Sequence, residues 1–193
     1  NETICSEVNF NYTPTSATTG TTFSWARAVV AGISNTAGSG TDSTSEQLSN
    51  TTTTSILVNY IYTLTVDGCS DNATIAVTVN PAPLITNVTE NKICSGTDPN
   101  ITLTADMPST FAWTIGENPG GITGGSDSSG TILNQVLTNT DSVPHSLQYL
   151  VIATSTSGTC SGNSSSIFIN VNPSPLANAG IDKTICSDSS VSI

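Results

Sequence analysis

Apolar and polar residues alternate in several short stretches of the chain. The clearest stretch places Val58, Tyr60, Tyr62, Leu64 and Val66 at every second position. Because successive side chains of a β-strand point to opposite faces, this spacing predicts strands with one buried face. The same alternation predicts strands around Val8, Phe10 and Tyr12; Phe23, Trp25 and Arg27; Ile75, Val77 and Val79; Ile101, Leu103 and Ala105; Phe111, Trp113 and Ile115; Leu147, Tyr149, Val151 and Ala153; and Ile167, Ile169 and Val171.

The strand pattern occurs twice, with a period of about 90 residues. The stretch NPAPLITNVTENKICSG, which starts at Asn80, returns from Asn172 as NPSPLANAGIDKTICS. Trp25 and Trp113 stand in matching Thr-Phe-x-Trp stretches, so we expect them to be equivalent buried core residues. A repeat at this scale indicates copies of one supersecondary unit.

An Asn-Pro-x-Pro stretch closes each copy of the repeat. Proline cannot donate a hydrogen bond to a sheet, so two prolines separated by one residue end the sheet and stiffen the joint. We therefore predict a first module at residues 1–82 and a second at 83–175. Residues 176–193 are then the first strand of an incomplete third module.

The composition favours an all-β fold. Only 9% of the residues are charged, and Thr, Ser, Asn, Gly and β-branched residues suit strands and turns. About seven short strands per module, with a tryptophan on the third, are typical of an immunoglobulin-like sandwich. Because the chain enters such a sandwich at one end and leaves at the other, we expect modules arranged end to end as a rod.

The net charge of −11 argues against a nucleic-acid partner, which would require a basic patch. No apolar run is long enough to span a membrane, so no membrane insertion is predicted for this segment. Asn1 is neither a start methionine nor part of a signal peptide, and we expect a mature or excised piece of a longer protein.

The five cysteines occupy equivalent places in the repeat and form no CxxC cluster. This usage favours disulfides in an oxidising, extracellular setting over a zinc site. In a seven-strand sandwich the start of the first strand and the turn between the last two strands share one end. That geometry predicts the bonds Cys5–Cys69 and Cys94–Cys160 and leaves Cys186 unpaired.

Catalytic and metal-binding patterns are weak in this sequence. His145 is the single histidine and no Gly-x-Ser-x-Gly stretch occurs, so we predict no enzyme and no cofactor. Calcium is a weak alternative, with Asp67 beside Asp71, or Asp98 near Glu90, but no EF-hand pattern is present.

The repeated stretches Thr-Ile-Cys-Ser, Gly-Cys and Asn-Pro-x-Pro, together with ANAGIDKTIC at residues 177–186, resemble a known repeat type. They are similar to the tandem PKD-like or Ig-like repeats of very large Bacteroidetes cell-surface proteins, including gliding-motility adhesins. The resemblance implies a cell-surface location, a stalk or adhesive role and no catalysis. Related proteins carry O-glycans at Asp-Ser/Thr stretches, which implies acceptors at Ser43 and Ser142.

The predicted function is therefore a structural segment of a long extracellular filament or adhesin, a stalk that spaces or presents a binding region. Its partners would be neighbouring repeats of the same long chain. One alternative is glycan binding to a surface polysaccharide, through Gly-rich loops or a platform of tyrosines and tryptophans, although their alternation favours core packing. A second alternative is an accessory module of a secreted hydrolase.

Overall fold

A computed structural model describes residues 2–87 and 90–176 of the chain. Every regular element within these residues is a β-strand. We call the strands up to Asn80 the first module and the strands from Glu90 onward the second module. The predicted strand of a third module, with Cys186, lies outside the described residues.

The first module is a seven-stranded β-sandwich. Its strands are β1 (Glu2–Cys5), β2 (Asn9–Tyr12), β3 (Thr22–Arg27), β4 (Gly38–Thr41), β5 (Thr44–Gln47), β6 (Ile56–Val66) and β7 (Cys69–Asn80). Five of them form one sheet in the order β1-β7-β6-β3-β4, and β2 pairs with β5 in the facing sheet. Phe10 and Leu48 of the facing layer pack into one core with Val58, Tyr60 and Val77 of the larger sheet.

The second module repeats this arrangement. Its strands are β8 (Glu90–Cys94), β9 (Ile101–Thr102), β10 (Ser109–Ile115), β11 (Ile122–Thr123), β12 (Ser128–Ser129), β13 (Ile132–Leu133), β14 (Thr138–Asn139), β15 (His145–Ser155) and β16 (Ser165–Asn172). The larger sheet has the order β12-β10-β15-β16-β8, while β9 pairs with β13 and β11 with β14. A separate core cluster fills this module. The predicted all-β, tandem immunoglobulin-like fold is confirmed.

Most of the alternating residues that predicted the strands are buried or partly buried in the two cores. Trp113 is 4% exposed, as expected, but its counterpart Trp25 is only partly buried. The Trp25 ring lies against Gly38 and Gly40 of β4, and these glycines supply no side chain to cover it. Val8 precedes β2 and is 51% exposed, because the strand begins only at Asn9.

The first strand of each module runs parallel to the last strand. Cys5 at the end of β1 lies opposite Asn80 at the end of β7, and Cys94 lies opposite Asn172 in the same way. We call this end of each module, where the last strand finishes, the exit pole. The opposite end, with the turn between the last two strands, is the entry pole.

Candidate functional site at the module junction

A disulfide bond joins the two modules. Cys5 at the exit pole of the first module bonds Cys160 at the entry pole of the second, with 5.5 Å between their Cα atoms and a sequence separation of 155. Cys160 is fully buried. The bond therefore places the exit pole of one module against the entry pole of the next.

This bond corrects the predicted pairs Cys5–Cys69 and Cys94–Cys160. The prediction placed Cys5 at the start of the first strand, whereas it ends β1, beside the end of β7. Cys69 begins β7, a strand of 12 residues, so the two cysteines are separated by about 36 Å of extended strand. Cys94 and Cys160 stand in the same opposed positions in the second module. Cys69 and Cys94 are both exposed and unbonded.

The backbone holds each partner of the bond in place. The Ser6 N–H donates to the Asn80 carbonyl oxygen at 2.7 Å and so continues the β1–β7 pairing past Cys5. On the other side, the Ser155 N–H donates to the Cys160 carbonyl oxygen at 2.8 Å. The turn before Cys160 passes through the left-handed region at Gly158 (φ 99°) and Thr159 (φ 54°). A glycine tolerates this conformation without strain.

Two glycines allow the second module to approach the first closely. A Cβ atom on Gly158 would lie 2.6 Å from the Asn80 Nδ2, and one on Gly162 would collide with the Pro83 carbonyl. The Gly162 N–H donates to Ala153 O at 2.9 Å, which keeps the turn folded back onto β15. Asn80 and Pro83 are buried. The junction is thus a packed contact as well as a covalent one.

A buried asparagine organises each exit pole. Asn50 donates from Nδ2 to Thr54 O at 2.8 Å and to Val79 O at 2.9 Å, while its own N–H donates to Ser6 Oγ at 2.9 Å. These bonds tie the loop before β6 to the last strand and to the residue after Cys5.

Asn139 makes the same bonds in the second module. Its Nδ2 donates to Val143 O and Val171 O at 2.8 Å each, and its N–H donates to Ser95 Oγ at 2.9 Å. Sequence reasoning missed both asparagines. The available signal was an Asn-Thr pair that recurs at the repeat period, at Asn50 and Asn139.

The first module also contains a charged cluster in its core. Arg27 Nε donates to Glu46 Oε2 at 2.9 Å, Arg27 Nη2 to Glu46 Oε1 at 3.1 Å, and the Tyr60 hydroxyl to Glu46 Oε2 at 2.7 Å. Burial alone would raise the pKa of the Glu46 carboxyl, but the hydrogen bonds from Arg27 and Tyr60 outweigh it and lower the pKa. Burial, followed by the hydrogen bond to Glu46, raises the pKa of Tyr60.

The second module has a neutral version of this cluster. Tyr149, the counterpart of Tyr60, donates to Gln135 Oε1 at 2.9 Å. Gln135 donates in turn to Ser126 O at 2.9 Å. Ile115 occupies the position of Arg27. Burial raises the pKa of Tyr149 to about 12. In both clusters the tyrosine hydroxyl donates to a side-chain oxygen of the facing layer.

The remaining predicted site residues lie apart from the junction. Ser43 and Ser142 are exposed, in the β4–β5 turn and the loop before β15 respectively. His145 Nε2 lies 2.7 Å from Asp141 Oδ2 at the start of β15. Asp67 and Asp71 are exposed near the β6–β7 turn.

No metal site is formed by the part of the chain that the structure describes. Within residues 2–87 and 90–176, no group of three or more His, Cys, Asp or Glu side chains could hold an ion. Glu90 accepts a hydrogen bond from Asn170 Nδ2 at 2.6 Å. In the same described residues, no helix is long and apolar enough to cross a membrane.

The aromatic residues considered for a sugar platform belong to the cores. Tyr60, Tyr62, Tyr149 and Trp113 are at most 4% exposed. Of these five aromatic residues, only Trp25 is partly exposed to solvent. Four of the five rings therefore cannot stack on a sugar.

Comparison with known proteins gives one family and a set of distant structural likenesses. The family described as PKD-like domain matches residues 2–83 and again residues 91–175. No curated protein matches the chain.

Three solved structures illustrate the likenesses. Drosophila N-cadherin EC1-4 shares 15% identity at a TM-score of 0.33, covering 83% of this chain and 44% of that one. The I-band fragment I67-I69 from titin shares 11% identity at a TM-score of 0.34, covering 90% and 62%. Human protocadherin-24 EC1-2 shares 15% identity at 0.34, covering 80% and 83%. The chain spans less than half the length of the N-cadherin fragment.

Proposed function

We propose that this chain, which belongs to the PKD-like domain family, is a structural segment of a long extracellular filament or cell-surface adhesin. It acts as a stalk that spaces or presents a binding region. The two modules and the junction between them perform this role, and the partners of the segment are neighbouring repeats of the same long chain. The division into modules at 1–82 and 83–175, followed by a further repeat from 176, belongs to this proposal.

The observation that carries the proposal is the Cys5–Cys160 bond across the junction. Modules joined by a linker alone usually move relative to each other. Here the bond and the packed glycines Gly158 and Gly162 oppose such motion. Disulfides persist in oxidising compartments, which supports an extracellular location.

The bond also changes how the chain would carry tension. A force applied to the two ends would reach Cys5, cross to Cys160 and leave without loading residues 6–159. Cys5 and Cys160 are separated by 155 positions in the sequence. The chain between them, which the bond protects from tension, would be roughly 500 Å long when extended. A stalk that transmits force without lengthening needs this property.

Single-molecule pulling tests the proposal. The full chain, tethered at its ends, is stretched with the bond intact and again as the Cys5→Ser/Cys160→Ser variant. We expect the oxidised chain to lengthen only by its terminal segments, and the variant to release two module-sized extensions that together approach 500 Å. Equal lengthening of the two proteins would contradict a force-bearing stalk.

Surface modification fits the same proposal. Ser43 and Ser142 are exposed on polar turns, where O-glycans would add bulk and protease resistance without disturbing a core. Glycopeptide analysis of the protein from its native bacterium is the check. We expect hexose-containing glycans at both serines, and two bare peptides would remove this part of the proposal.

Glycan binding is the second candidate function. An open groove beside β8 is lined by Glu90, Asn91, Lys92, Pro144, Asn170 and Asn172. These side chains offer hydrogen bonds to a polysaccharide but no aromatic ring. Saturable binding in a polysaccharide pull-down, abolished by Asn170→Ala, would favour this function over a passive stalk. An accessory role in a hydrolase would require a catalytic domain elsewhere in the parent protein.

A further inference from the structure

We propose that Cys94 and Cys69 are the two halves of a second disulfide of the same kind, made with another module of this type. Cys94 would bond the entry-pole cysteine of a following module, and Cys69 the exit-pole cysteine of a preceding one. Two copies of this chain would then join head to tail through a Cys94–Cys69 bond. The inference deepens the proposed stalk function and rests on it for its biological meaning.

Cys94 occupies the same structural position as Cys5. Each cysteine ends the first strand of its module, opposite the asparagine that ends the last strand. The following serine repeats its hydrogen bond as well: Ser95 N–H donates to Asn172 O at 2.9 Å, as Ser6 N–H does to Asn80 O at 2.7 Å. The second exit pole therefore presents a thiol where the first exit pole has a disulfide.

Cys69 occupies the same structural position as Cys160. The residue after each cysteine pairs with a threonine of the preceding strand, and the side chains meet at 2.9 Å in Thr65–Ser70 and in Thr154–Ser161. The turn is two residues shorter in the first module, so Cys69 begins β7 directly.

The surfaces covered at the junction are open at the outer ends of the pair. Cys160 is fully buried at the junction, whereas Cys69 and Cys94 are exposed. Gly158 packs on Asn80, but a Cβ atom on Gly68, the glycine of the equivalent turn in the first module, would meet nothing within 4 Å. Within residues 2–87 and 90–176, the outer poles are thus two uncovered counterparts of the surfaces that meet at the junction.

An exit pole and an entry pole are different surfaces, so the contact between two copies is heterologous. Each copy would present Cys94 at one end and Cys69 at the other. A heterologous contact that does not close into a ring generates an open chain of subunits. The expected product is a covalent head-to-tail series of modules.

Bond formation requires an oxidant, and we assign this role to a small-molecule disulfide such as oxidised glutathione. The Cys69 thiolate attacks one glutathione sulfur, which forms a mixed disulfide and releases one glutathione. The Cys94 thiolate then attacks the Cys69 sulfur and releases the second glutathione. Two protein thiols are oxidised, one glutathione disulfide is reduced, and two thiol protons are transferred to the glutathione products.

The test uses full chains in which Cys186→Ser removes the third thiol. One chain also carries Cys94→Ser and retains Cys69, while the other carries Cys69→Ser and retains Cys94. The two are mixed in equal amounts in a buffer of oxidised and reduced glutathione. Dimers are separated on a non-reducing gel and their bonds are mapped by mass spectrometry.

We expect the amount of Cys94–Cys69 dimer to be at least ten times that of the Cys69–Cys69 dimer and of the Cys94–Cys94 dimer. Random pairing would give only a twofold excess, and that result, or an absence of dimers, would overturn the inference. A matched control moves the thiol two residues along the exposed side of β8, by Lys92→Cys with Cys94→Ser and Cys69→Ser. This control should pair at random with the Cys69 chain.

The outcome is separable from that of the proposed function. The pulling experiment depends on the Cys5–Cys160 bond, which all of these variants retain. Random pairing combined with a tension-resistant chain would remove the intermolecular bond and leave the stalk. Selective pairing in a chain that lengthens under tension would support the intermolecular bond and contradict the force-bearing stalk.

Discussion

Arg27 and Glu46 form a two-point ion pair that is nearly closed to solvent in the first module. The Arg27 side chain is 1% exposed and that of Glu46 is 20% exposed, with 2.9 Å between Nε and Oε2. Arg27 Nη2 also donates to Thr36 O at 2.6 Å. The second module places the neutral residues Ile115 and Gln135 at these positions, so the fold does not require the charges.

Replacing Glu46 alone should destabilise the first module strongly. Glu46→Ala leaves the Arg27 guanidinium buried without its charged partner, and we expect a loss of about 3 kcal/mol in the free energy of unfolding. Urea unfolding followed by Trp25 fluorescence in a Trp113→Phe background measures it. The double variant Arg27→Ile/Glu46→Gln, which copies the second module, should lose less. A double variant as unstable as Glu46→Ala would show that the charge itself is not the cause.

Alkaline pH should destabilise the second module through Tyr149. Burial raises the pKa of this tyrosine from 10.0 to about 12. Its contribution to stability is complete below pH 10 and decreases as the pH approaches the folded-state pKa, because the unfolded chain ionises first. The expected loss is about 1.4 kcal/mol per pH unit over this range.

The comparison variant for this pH dependence is Tyr149→Phe, which has no proton to lose. In a Trp25→Phe background, it should remove most of the decrease between pH 10 and 12 in urea unfolding followed by Trp113 fluorescence. All measurements use a Cys69→Ser/Cys94→Ser/Cys186→Ser background, so that no free thiolate attacks the remaining bond. An unchanged slope in the Tyr149→Phe protein would mean that other groups cause the alkaline loss.

The strands and cores could be predicted from the sequence because period-two alternation reports directly which face of a strand is buried. Val58, Tyr60 and Tyr62 were assigned to a core in this way and are at most 1% exposed. Trp25 shows the limit of the method. The position points inward, but its burial depends on the glycines of the neighbouring strand β4.

The junction could not be predicted in the same way. The alternation of apolar and polar residues indicates which face of a strand is buried. It does not indicate at which end of a module a residue lies. The position of Cys5 depends on β1 running parallel to β7, with its last residue at the exit pole. The repeat did correctly group Cys5 with Cys94 and Cys69 with Cys160, and the missing information was that the Cys5–Cys160 bond crosses from one module to the next.

The buried asparagines should be more important for stability than exposed ones with similar hydrogen bonds. Asn139→Ala leaves the carbonyl oxygens of Val143 and Val171 without their donor. We expect a loss of about 2–3 kcal/mol, the cost of unsatisfied buried polar groups. Urea unfolding followed by Trp113 fluorescence in a Trp25→Phe background is the measurement.

Asn87 provides a matched control for this substitution. It donates to Thr102 O at 2.6 Å and accepts from Thr104 N at 2.8 Å, in an exposed setting where water can replace it. We expect Asn87→Ala to lose no more than about 1 kcal/mol. If both substitutions have the same effect, burial of Asn139 is not what makes it important.

The close contact at the junction should depend on the absence of a side chain at Gly158. A Cβ atom there would lie 2.6 Å from Asn80 Nδ2, and the residue has φ of 99°. Gly158→Ala therefore combines backbone strain with a collision against the first module. We expect the equilibrium constant for forming the Cys5–Cys160 bond to fall about tenfold or more, an effect of the order that strained or clashing sites produce.

Asn80→Ala separates the two causes of this effect. In this background Gly158→Ala keeps its backbone strain at φ of 99° but no longer meets the Asn80 amide, whose Nδ2 would lie 2.6 Å from the added Cβ atom. The variants are equilibrated in glutathione buffers of graded composition, and the fraction of Cys5–Cys160 bond is read by alkylation and mass spectrometry. Gly158→Ala should lower that fraction less in the Asn80→Ala background than in the unsubstituted chain. An equal fall in both backgrounds would mean that turn strain, and not the fit of the second module against Asn80, controls the junction.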